Sequence, residues 1–374
     1  MKVPKSVPEA KLSAPSVLII GAGLAGACAA RAVALAGWQV QLLDAAPAPA
    51  QGASALPVGL MAAKKDQSLP ADDSAPNWDE RGMACTRRWL EDLTQQGLLQ
   101  RGLDWQACGS AHSMGGAKSG ELSDNASHWQ WQPQACWIKP QRLVAACLVQ
   151  PGITTHWQAQ VEYIAAAPGG WRVALADGRS LQAHALVLAA SVDSARLLRS
   201  LPSAADGSPL RRLQDKHILK GSAGQAIYAP WLSEWSSLLP LPAHAPHACN
   251  GHGHFVPAVP WGDGDGREFW LSGATYVNQT QAQAAHTDAD EAANLLRLNQ
   301  LLPSMSSVLA QQKMQAQIQR FVGVRCTTPM CQPIVQALAS GLWLCTGFGS
   351  RGLSNAPLAA EFLAQNLRSP LTAA

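Results

Sequence analysis

The feature that most constrains this chain lies near its start. Ser16–Ile20 is a short, β-branched apolar run, and Gly21-Ala22-Gly23-Leu24-Ala25-Gly26 follows at once. Residues Ala27–Ala36 favour a helix, closed by Gly37, and Trp38–Leu43 reads as a second strand ending at Asp44. Glycines spaced Gly-x-Gly-x-x-Gly say little alone. Strand, glycine turn, helix, strand and acidic residue in this order make a complete dinucleotide-binding unit. Gly21 permits the tight turn, Gly23 lets a pyrophosphate approach the backbone, and Gly26 lets the helix pack close to the strand. The helix N-terminus, starting at Leu24, offers free N–H groups and partial positive charge to the phosphates. Asp44 stands near the spacing of about 20 residues at which an acidic side chain accepts ribose hydroxyls.

The fingerprint alone does not separate NAD from FAD. Its place close to the N-terminus favours FAD, as does Gly52-Ala53-Ser54 after the second strand, with Gly59 beyond it. A turn of such small residues offers backbone N–H groups and a hydroxyl to a phosphate or a flavin ring.

Farther on, Trp78–Gly97 and Pro140–Val149 read as amphipathic helices. Thr154–Trp157, Val161–Ala166, Trp171–Leu175 and Leu181–Ala190 read as strands, with Gly169-Gly170 and Asp177-Gly178 as turns. Ala185–Ala190 is the expected return strand to the nucleotide-binding sheet, its C-terminal end facing the cofactor, where parallel sheets place their ligands. Residues 206–324 are richer in proline, histidine and tryptophan. They hold one strand candidate, Phe269–Val277, and one helix, Asp288–Leu302, stopped by Pro303. Strand, glycine turn and helix then recur as Gly341–Thr346, Gly347-Phe348-Gly349-Ser350-Arg351-Gly352 and Leu353–Leu367. A second helix N-terminus is thereby aimed at a second electron-rich group. In a flavoenzyme that group is the N1–C2=O edge of the isoalloxazine, which gains negative charge on reduction.

The expected fold is therefore α/β: a Rossmann-like nucleotide-binding domain of residues 1–80, 140–205 and 325–374, and an inserted β-rich substrate domain of residues 81–139 and 206–324. Composition narrows the function classes. In 374 residues, 47% are apolar and 14% charged, which excludes intrinsic disorder as the main state. A net charge of +3 without a block of like charge gives no signal of a strongly basic nucleic-acid binder, although a local basic patch fits within such a total. The longest apolar region, Val17–Trp38, is interrupted by Gly21, Gly23, Gly26, Arg31 and Gly37 and does not read as a membrane span. Met1–Pro15 does not read as a secretory signal, and a soluble cytoplasmic protein is expected. Nine cysteines in no Cys-x-x-Cys pair suggest reduced, mostly buried thiols.

These motifs, together with Gly323-Val324-Arg325-Cys326-Thr327-Thr328 and Gly349-Ser350-Arg351-Gly352-Leu353-x-x-Ala356-Pro357-Leu358-x-Ala360-Glu361, resemble the D-amino-acid-oxidase-like (DAO) flavoenzymes of glycine oxidase and D-amino-acid oxidase type. The last two segments, with Gly273-Ala274-Thr275-Tyr276, are similar more narrowly to the FAD-dependent half of the bifunctional enzymes that make 5-methylaminomethyl-2-thiouridine in tRNA. The resemblance spans essentially the whole chain, and no residues resemble the methyltransferase half. It implies FAD as cofactor and oxidative removal of the carboxymethyl group from 5-carboxymethylaminomethyluridine at the wobble position. It implies Arg325 as the residue that holds the substrate carboxylate. The implied cofactor-binding residues are Gly21, Gly23, Leu24, Gly26, Asp44, Ala53, Ser54, Gly59, Val161, Ala190, Gly347, Gly349, Ser350, Arg351, Gly352 and Leu353, with no metal. Met330-Cys331 and Gln336 depart from the family pattern, beside the expected substrate pocket.

Two other readings stay open: an oxidase of a free small amino acid such as glycine, sarcosine or a D-amino acid, and a flavin-binding protein without turnover. His244, His247, Cys249, His252 and His254 are dense enough to consider zinc, but a polar loop over the active site is the preferred reading. Cys326 invites comparison with cysteines that tether FAD; a packed thiol is the simpler expectation. Lys64-Lys65 and Arg87-Arg88 are candidate contacts to tRNA phosphates, and the fourteen tryptophans are expected chiefly in cores and interfaces.

Overall fold

The computed structural model describes residues 14–63, 78–114, 129–215, 218–251, 253–262, 265–279, 285 and 287–367. Its first sheet contains β1 (Ser16–Ile20), β2 (Gln39–Leu43), β8 (Ile153–His156), β12 (Ala185–Leu188), β19 (Ile334–Ala339) and β20 (Leu342–Thr346). They lie in the order β19-β20-β12-β1-β2-β8, parallel throughout except for β19. The apolar run of β1 is explained by burial on both faces. Val17 and Ile19 enter one core with α1 (Leu24–Leu35), α2 (Trp78–Gln95), α3 (Pro140–Leu148) and α8 (Gly352–Asn366). Leu18 and Ile20 enter the opposite core, with the antiparallel meander β9 (Val161–Ala167), β10 (Gly170–Leu175) and β11 (Ser180–Ala183). Helices α4 (Asp193–Arg199) and α5 (Pro209–Asp215) complete that side.

The run expected as one strand over Leu181–Ala190 is divided between β11 and β12, which belong to different sheets. His184 sits at the crossing, and its Nδ1 accepts the Ser16 N–H at 3.1 Å. The chain thus leaves the meander and joins the main sheet within one residue.

A second sheet of eight strands contains β5 (Ser110–Ser113), β6 (Trp129–Gln132), β13 (Lys220–Trp231), β14 (Ala248–Gly251), β15 (Gly253–Pro260), β16 (Glu268–Gly273), β17 (Val277–Gln279) and β18 (Gln319–Thr327). β13 is its spine. One edge pairs with β18 from Lys220 to Tyr228; the other takes β17 first and then β16. The sheet continues through β15, β14, β5 and β6. A small sheet, β3 (Gly59–Met61), β7 (Cys136–Ile138) and β4 (Trp105–Gln106), lies beside it. Helices α6 (Asp288–Leu301) and α7 (Ser306–Met314) cover one face of the large sheet through Phe255, Trp270, Leu298 and Met305. The other face packs partly on Val58 and Trp137 and elsewhere borders a cavity.

Helix α6 starts where the Thr287 hydroxyl accepts the Asp290 N–H at 3.0 Å, and Asp288, Asp290 and Glu291 complement the helix dipole. The stretch 81–139, grouped on sequence with the inserted part, divides in the structure. Helix α2 packs on α8, with the Thr86 hydroxyl bonded to the Leu353 and Ser354 carbonyls at 2.9 and 3.0 Å, while β5 and β6 belong to the large sheet. Arg88 is paired with Glu361 at 2.5 Å and Arg87 bonds the Gln134 carbonyl, so both are engaged within the fold; Lys64-Lys65 lie outside the described residues. All nine cysteines are free thiols, and among the described residues no helix is long and apolar enough to cross a membrane.

Among the described residues of the histidine-rich segment no three donors group to hold a metal; His252 lies outside them. His244 stacks on Trp131 at 4.2 Å between ring centroids, and His247 meets the same ring edge-on at 5.5 Å. His247 is fully buried, and that burial pushes its pKa down to about 4. The unfolded chain titrates this group near 6.5. Between these values the unfolded chain takes up a proton that the folded chain refuses. The contribution of neutral His247 is thus complete above about pH 6.5 and declines as pH falls toward 4, by on the order of 2–3 kcal/mol. Urea unfolding of wild type and His247→Phe across this window should show a flatter pH dependence in the variant. Parallel curves would assign the acid sensitivity to other groups.

Candidate functional site

A cavity of about 1090 Å³ runs from the turn after β1 to the exposed surface of the large sheet. Its first end is built by close packing. A Cβ on Gly21 would lie 2.5 Å from the Ala189 carbonyl oxygen, at a φ of +105°, and a Cβ on Gly26 would collide with the Gly21 carbonyl. Only glycine lets α1 seat so near β1 and β12. Gly23, the N-cap of α1, supplies no side-chain cap, and Ser54 Oγ from the neighbouring turn accepts the Leu24 N–H at 3.0 Å. Asp44 lines the same end. Its Oδ2 accepts the Ala22 N–H at 2.6 Å and its Oδ1 the Ala46 N–H at 2.8 Å, so the carboxylate clamps the glycine turn to the end of β2. Each oxygen keeps a further lone pair for a ligand hydroxyl.

The second end is approached by the N-terminus of α8. Gly347 and Gly349 adopt φ of +83° and +54°, and the Gly349 N–H donates to the Cys326 carbonyl at 2.7 Å. This bond ties the second glycine turn to β18. No side chain caps α8, and neither α1 nor α8 has an acidic residue in its first turn. A Cβ on Gly323 would lie 3.1 Å from Ala53 Cα, so the 52–54 turn passes directly against β18.

Of the residues expected at the site, all but Gly26 and Arg351 line this cavity. Gly26 acts from behind, in the helix–strand contact. The Arg351 N–H bonds the Phe348 carbonyl at 2.9 Å as the turn enters α8. Met330, Cys331 and Gln336, where the sequence departs from the family pattern, do not line the cavity; Met330 is 60% exposed. Cys326 does line it, as a buried thiol whose pKa is raised by burial.

Arg325 stands on β18, opposite Ser222 of β13, with its guanidinium at the cavity wall. Nη2 donates to the Thr275 carbonyl at 2.9 Å, and the guanidinium lies over the Tyr276 ring at 4.2 Å from its centroid. Burial lowers its pKa, opposed by Tyr276. Among the described residues no carboxylate pairs with it. A cation of this kind is poised for an anion, and its planar fork suits a carboxylate.

Sequence reasoning missed the groups that shape this wall. Phe269–Val277 was expected as one strand. Instead β16 stops at Gly273 and β17 starts at Val277, and the gap carries the Thr275 carbonyl and the Tyr276 ring to Arg325. Gly273 has a φ of +144°, where a side chain would be strained. On β13, Gly224 leaves the space that the guanidinium fills: a Cβ there would collide with Arg325 Nη2 and sit 2.5 Å from the Thr275 oxygen. Arg196, also unforeseen, holds the Val161 and Glu162 carbonyls at 2.9 and 3.0 Å beside the Asp44 end. Nothing local in the sequence announces Gly224; its role follows from strand register.

These features fit an elongated dinucleotide with a flavin at one end: two helix N-termini with no acidic residue in the first turn, a glycine cradle and a carboxylate with lone pairs to spare open on one cavity. Comparison with known proteins agrees. The solved structure of iminodiacetate oxidase (IdaA) from Chelativorans sp. BNC1 superposes with a TM-score of 0.69 at 20% identity, covering 93% of this chain and 94% of that one. Glycine oxidase from Geobacillus kaustophilus gives a TM-score of 0.70 at 16% identity, over 94% and 93%. In sequence, the tRNA 5-methylaminomethyl-2-thiouridine biosynthesis bifunctional protein MnmC of Polaromonas naphthalenivorans (strain CJ2) is 33% identical, over 98% of this chain and 59% of that protein. The same protein of Albidiferax ferrireducens (strain ATCC BAA-621 / DSM 15236 / T118) is 34% identical, over 96% and 56%. The chain thus spans less than two thirds of the length of these relatives. Residues 16–366 match the DAO family of FAD dependent oxidoreductases, and the chain belongs to that family.

Proposed function

We propose that this FAD-dependent oxidoreductase oxidises the C–N bond of a carboxymethylated secondary amine, and that its substrate is 5-carboxymethylaminomethyluridine at the tRNA wobble position. The observation that carries this reading is the Arg325 guanidinium, facing the cavity with no carboxylate partner among the described residues. The MnmC relatives support the choice of tRNA. So does the open setting of the anchor, where Tyr276 is 61% exposed and Arg297 donates to the adjacent Ala274 carbonyl at 3.3 Å.

Bound in this cavity, FAD would supply the two-electron oxidising capacity, as acceptor for a hydride from the methylene beside the amine. The protein's own part is placement. Arg325 binds the substrate carboxylate through its fork, and Tyr276 covers one face of the guanidinium, so the methylene is held in one orientation. Such ordering contributes up to roughly 7–11 kcal/mol in favourable intramolecular cases. Loss of the amine proton together with the hydride leaves a C=N bond. Water adds to its carbon, the C–N bond breaks, and the products are the aminomethyl uridine and glyoxylate. Gly21, Gly23, Leu24, Asp44 and Ser54 would hold the ADP portion, and Gly347, Gly349, Ser350 and Gly352 the flavin ring. The direct test is nucleoside mass spectrometry of tRNA carrying the carboxymethylaminomethyl group, before and after incubation with the protein. Unaltered tRNA, with turnover of glycine or sarcosine, would transfer the activity to a free amino acid.

The purified protein should be yellow and should release FAD on acid precipitation. Gly23→Val should lose most of its flavin while keeping its circular dichroism, because a branched side chain then occupies the pyrophosphate path, where even a Cβ lies 3.2 Å from Ser54 Oγ. Full flavin content in this variant would place the cofactor elsewhere.

For Arg325→Ala, the loss in kcat/KM should be on the order of 2–4 kcal/mol. Arg325→Lys should also be markedly impaired, since charge without the fork is insufficient. Anaerobic flavin reduction at wild-type rate in the alanine variant would show that the carboxylate binds another group.

Gly224→Ala leaves Arg325 in place chemically but pushes its guanidinium away. KM for the carboxylated substrate should rise at least tenfold with flavin content retained. An unchanged KM would mean that the guanidinium seen here is not in its working position.

A further inference from the structure

Of the exposed large apolar side chains among the described residues, Tyr276 alone lines the main cavity. The Arg325 guanidinium covers one face of its ring, 4.2 Å from the centroid. Among the described residues no other ring stacks on it and no second cation lies over it. With 61% of the residue exposed, the opposite face is open. A bare aromatic face beside a binding cavity is a surface for another planar group. The backbone that carries this ring is fixed. Arg297 of α6 donates to the Ala274 carbonyl at 3.3 Å, and Arg325 of β18 to the Thr275 carbonyl at 2.9 Å. The Thr275 N–H donates to the Gln225 carbonyl of β13 at 3.1 Å, and its hydroxyl accepts the Gln225 N–H at 3.0 Å. A ring placed by a backbone so tied loses little freedom when a partner lies on it, which favours binding.

The spacing suits one substrate molecule. A planar group in van der Waals contact with the open face, about 3.5 Å above the ring, lies under about 8 Å from the guanidinium carbon. In a carboxymethylaminomethyl pyrimidine, four single bonds of about 1.5 Å join the carboxylate carbon to the base, an extended span of about 5 Å. A carboxylate seated in the arginine fork has its carbon about 4 Å from the guanidinium carbon. The base therefore reaches to about 9 Å, and a slightly bent arm brings it onto the ring while the carboxylate stays in the fork. Glycine or sarcosine held by the same fork has no planar group to lay there.

We propose that Tyr276 is a specificity-determining residue, whose open face is the platform on which the substrate's pyrimidine base stacks while Arg325 holds the carboxylate of the same molecule. The assignment rests on the uridine reading of the function. Stacking tolerates any base, because every base has a π-face. The platform thus separates a substrate that carries a base from one that does not, such as iminodiacetate, which has the same carboxymethyl amine. Tyr276 then has two faces with two tasks: one covers the arginine, the other receives the base.

The test compares two substrates on the holoenzyme: tRNA bearing 5-carboxymethylaminomethyluridine, and iminodiacetate. The ratio of kcat/KM for the first to kcat/KM for the second is measured for wild type, Tyr276→Leu and Tyr276→Phe, with flavin content recorded for each. Where iminodiacetate inhibits without turnover, the reciprocal of its inhibition constant takes the place of its kcat/KM. Both substrates use Arg325, so a disturbed guanidinium lowers both values and cancels in the ratio. Tyr276→Leu should lower the ratio by at least about fivefold, mainly through KM for the tRNA. Tyr276→Phe keeps the face and loses the hydroxyl, and its ratio should stay within about twofold of wild type. Equal losses for both substrates in Tyr276→Leu, or an equal fall of the ratio in the two variants, would overturn the proposal and leave the ring as a cover for Arg325. A wild-type enzyme that oxidises or binds iminodiacetate but leaves the tRNA unaltered would overturn the uridine reading itself. An enzyme that iminodiacetate neither feeds nor inhibits would remove Arg325 as the anchor, and this arrangement with it.

Discussion

The contact between α1 and the edge shared by β1 and β12 is the constraint on which the glycine-turn end of the cavity depends. Gly26 rests on the Gly21 carbonyl, and Gly21 lies against Ala189, far away in the chain. No residue with a Cβ permits either approach. The seating of α1 brings its first turn, the end of β2 with Asp44, and the end of β12 with Ala190 to one cavity. Asp44 then has a structural part of its own. With both oxygens bonded to backbone N–H groups, it locks the turn that presents the helix.

A second constraint governs the Arg325 end of the cavity. The antiparallel register of β13 and β18 sets Gly224 opposite Gly323, and Ser222 opposite Arg325. On this face Gly323 makes room for the 52–54 turn and Gly224 for the guanidinium. Among the described residues, Arg325 is thus held by a missing side chain on the neighbouring strand, by one carbonyl and by one ring, with no acid beside it. A structural arginine of equal burial would ordinarily be matched by a carboxylate, because an unpaired buried cation is costly.

What could be read from the sequence was what is local. The glycine turn with its flanking strands, the stop of α6 at Pro303, the second glycine turn before α8, and the apolar run of β1 declare themselves within a few residues, because backbone freedom and hydrophobic period are local properties. Gly224 and the place of Tyr276 against Arg325 were not legible. Each acquires meaning only once strands distant in sequence are paired, and one residue of slip would turn every side chain to the opposite face. The break at Gly273 shows the same limit. Phe269–Val277 is apolar enough for a strand, yet the chain leaves the ladder there to bring a carbonyl and a ring to Arg325. His247 was misjudged for a different reason: histidines close in sequence suggested a polar loop, whereas stacking on Trp131 and burial decide their environment.

The two helix N-termini that open on the cavity have a thermodynamic consequence. Neither first turn contains an acidic side chain; the start of α1 is met from within the chain by Ser54 and by Asp44 on the preceding turn, and the start of α8 by no N-cap side chain, so a good part of the partial positive charge faces the cavity. A fold built in this way keeps part of its cohesion outside the polypeptide, in an anionic ligand that binds the folded state alone. Its stability is then a function of ligand supply, rising with the logarithm of the free cofactor concentration above its dissociation constant. For such a chain, cofactor scarcity does more than silence the active site: it increases the fraction of unfolded protein exposed to proteolysis, and abundance follows occupancy.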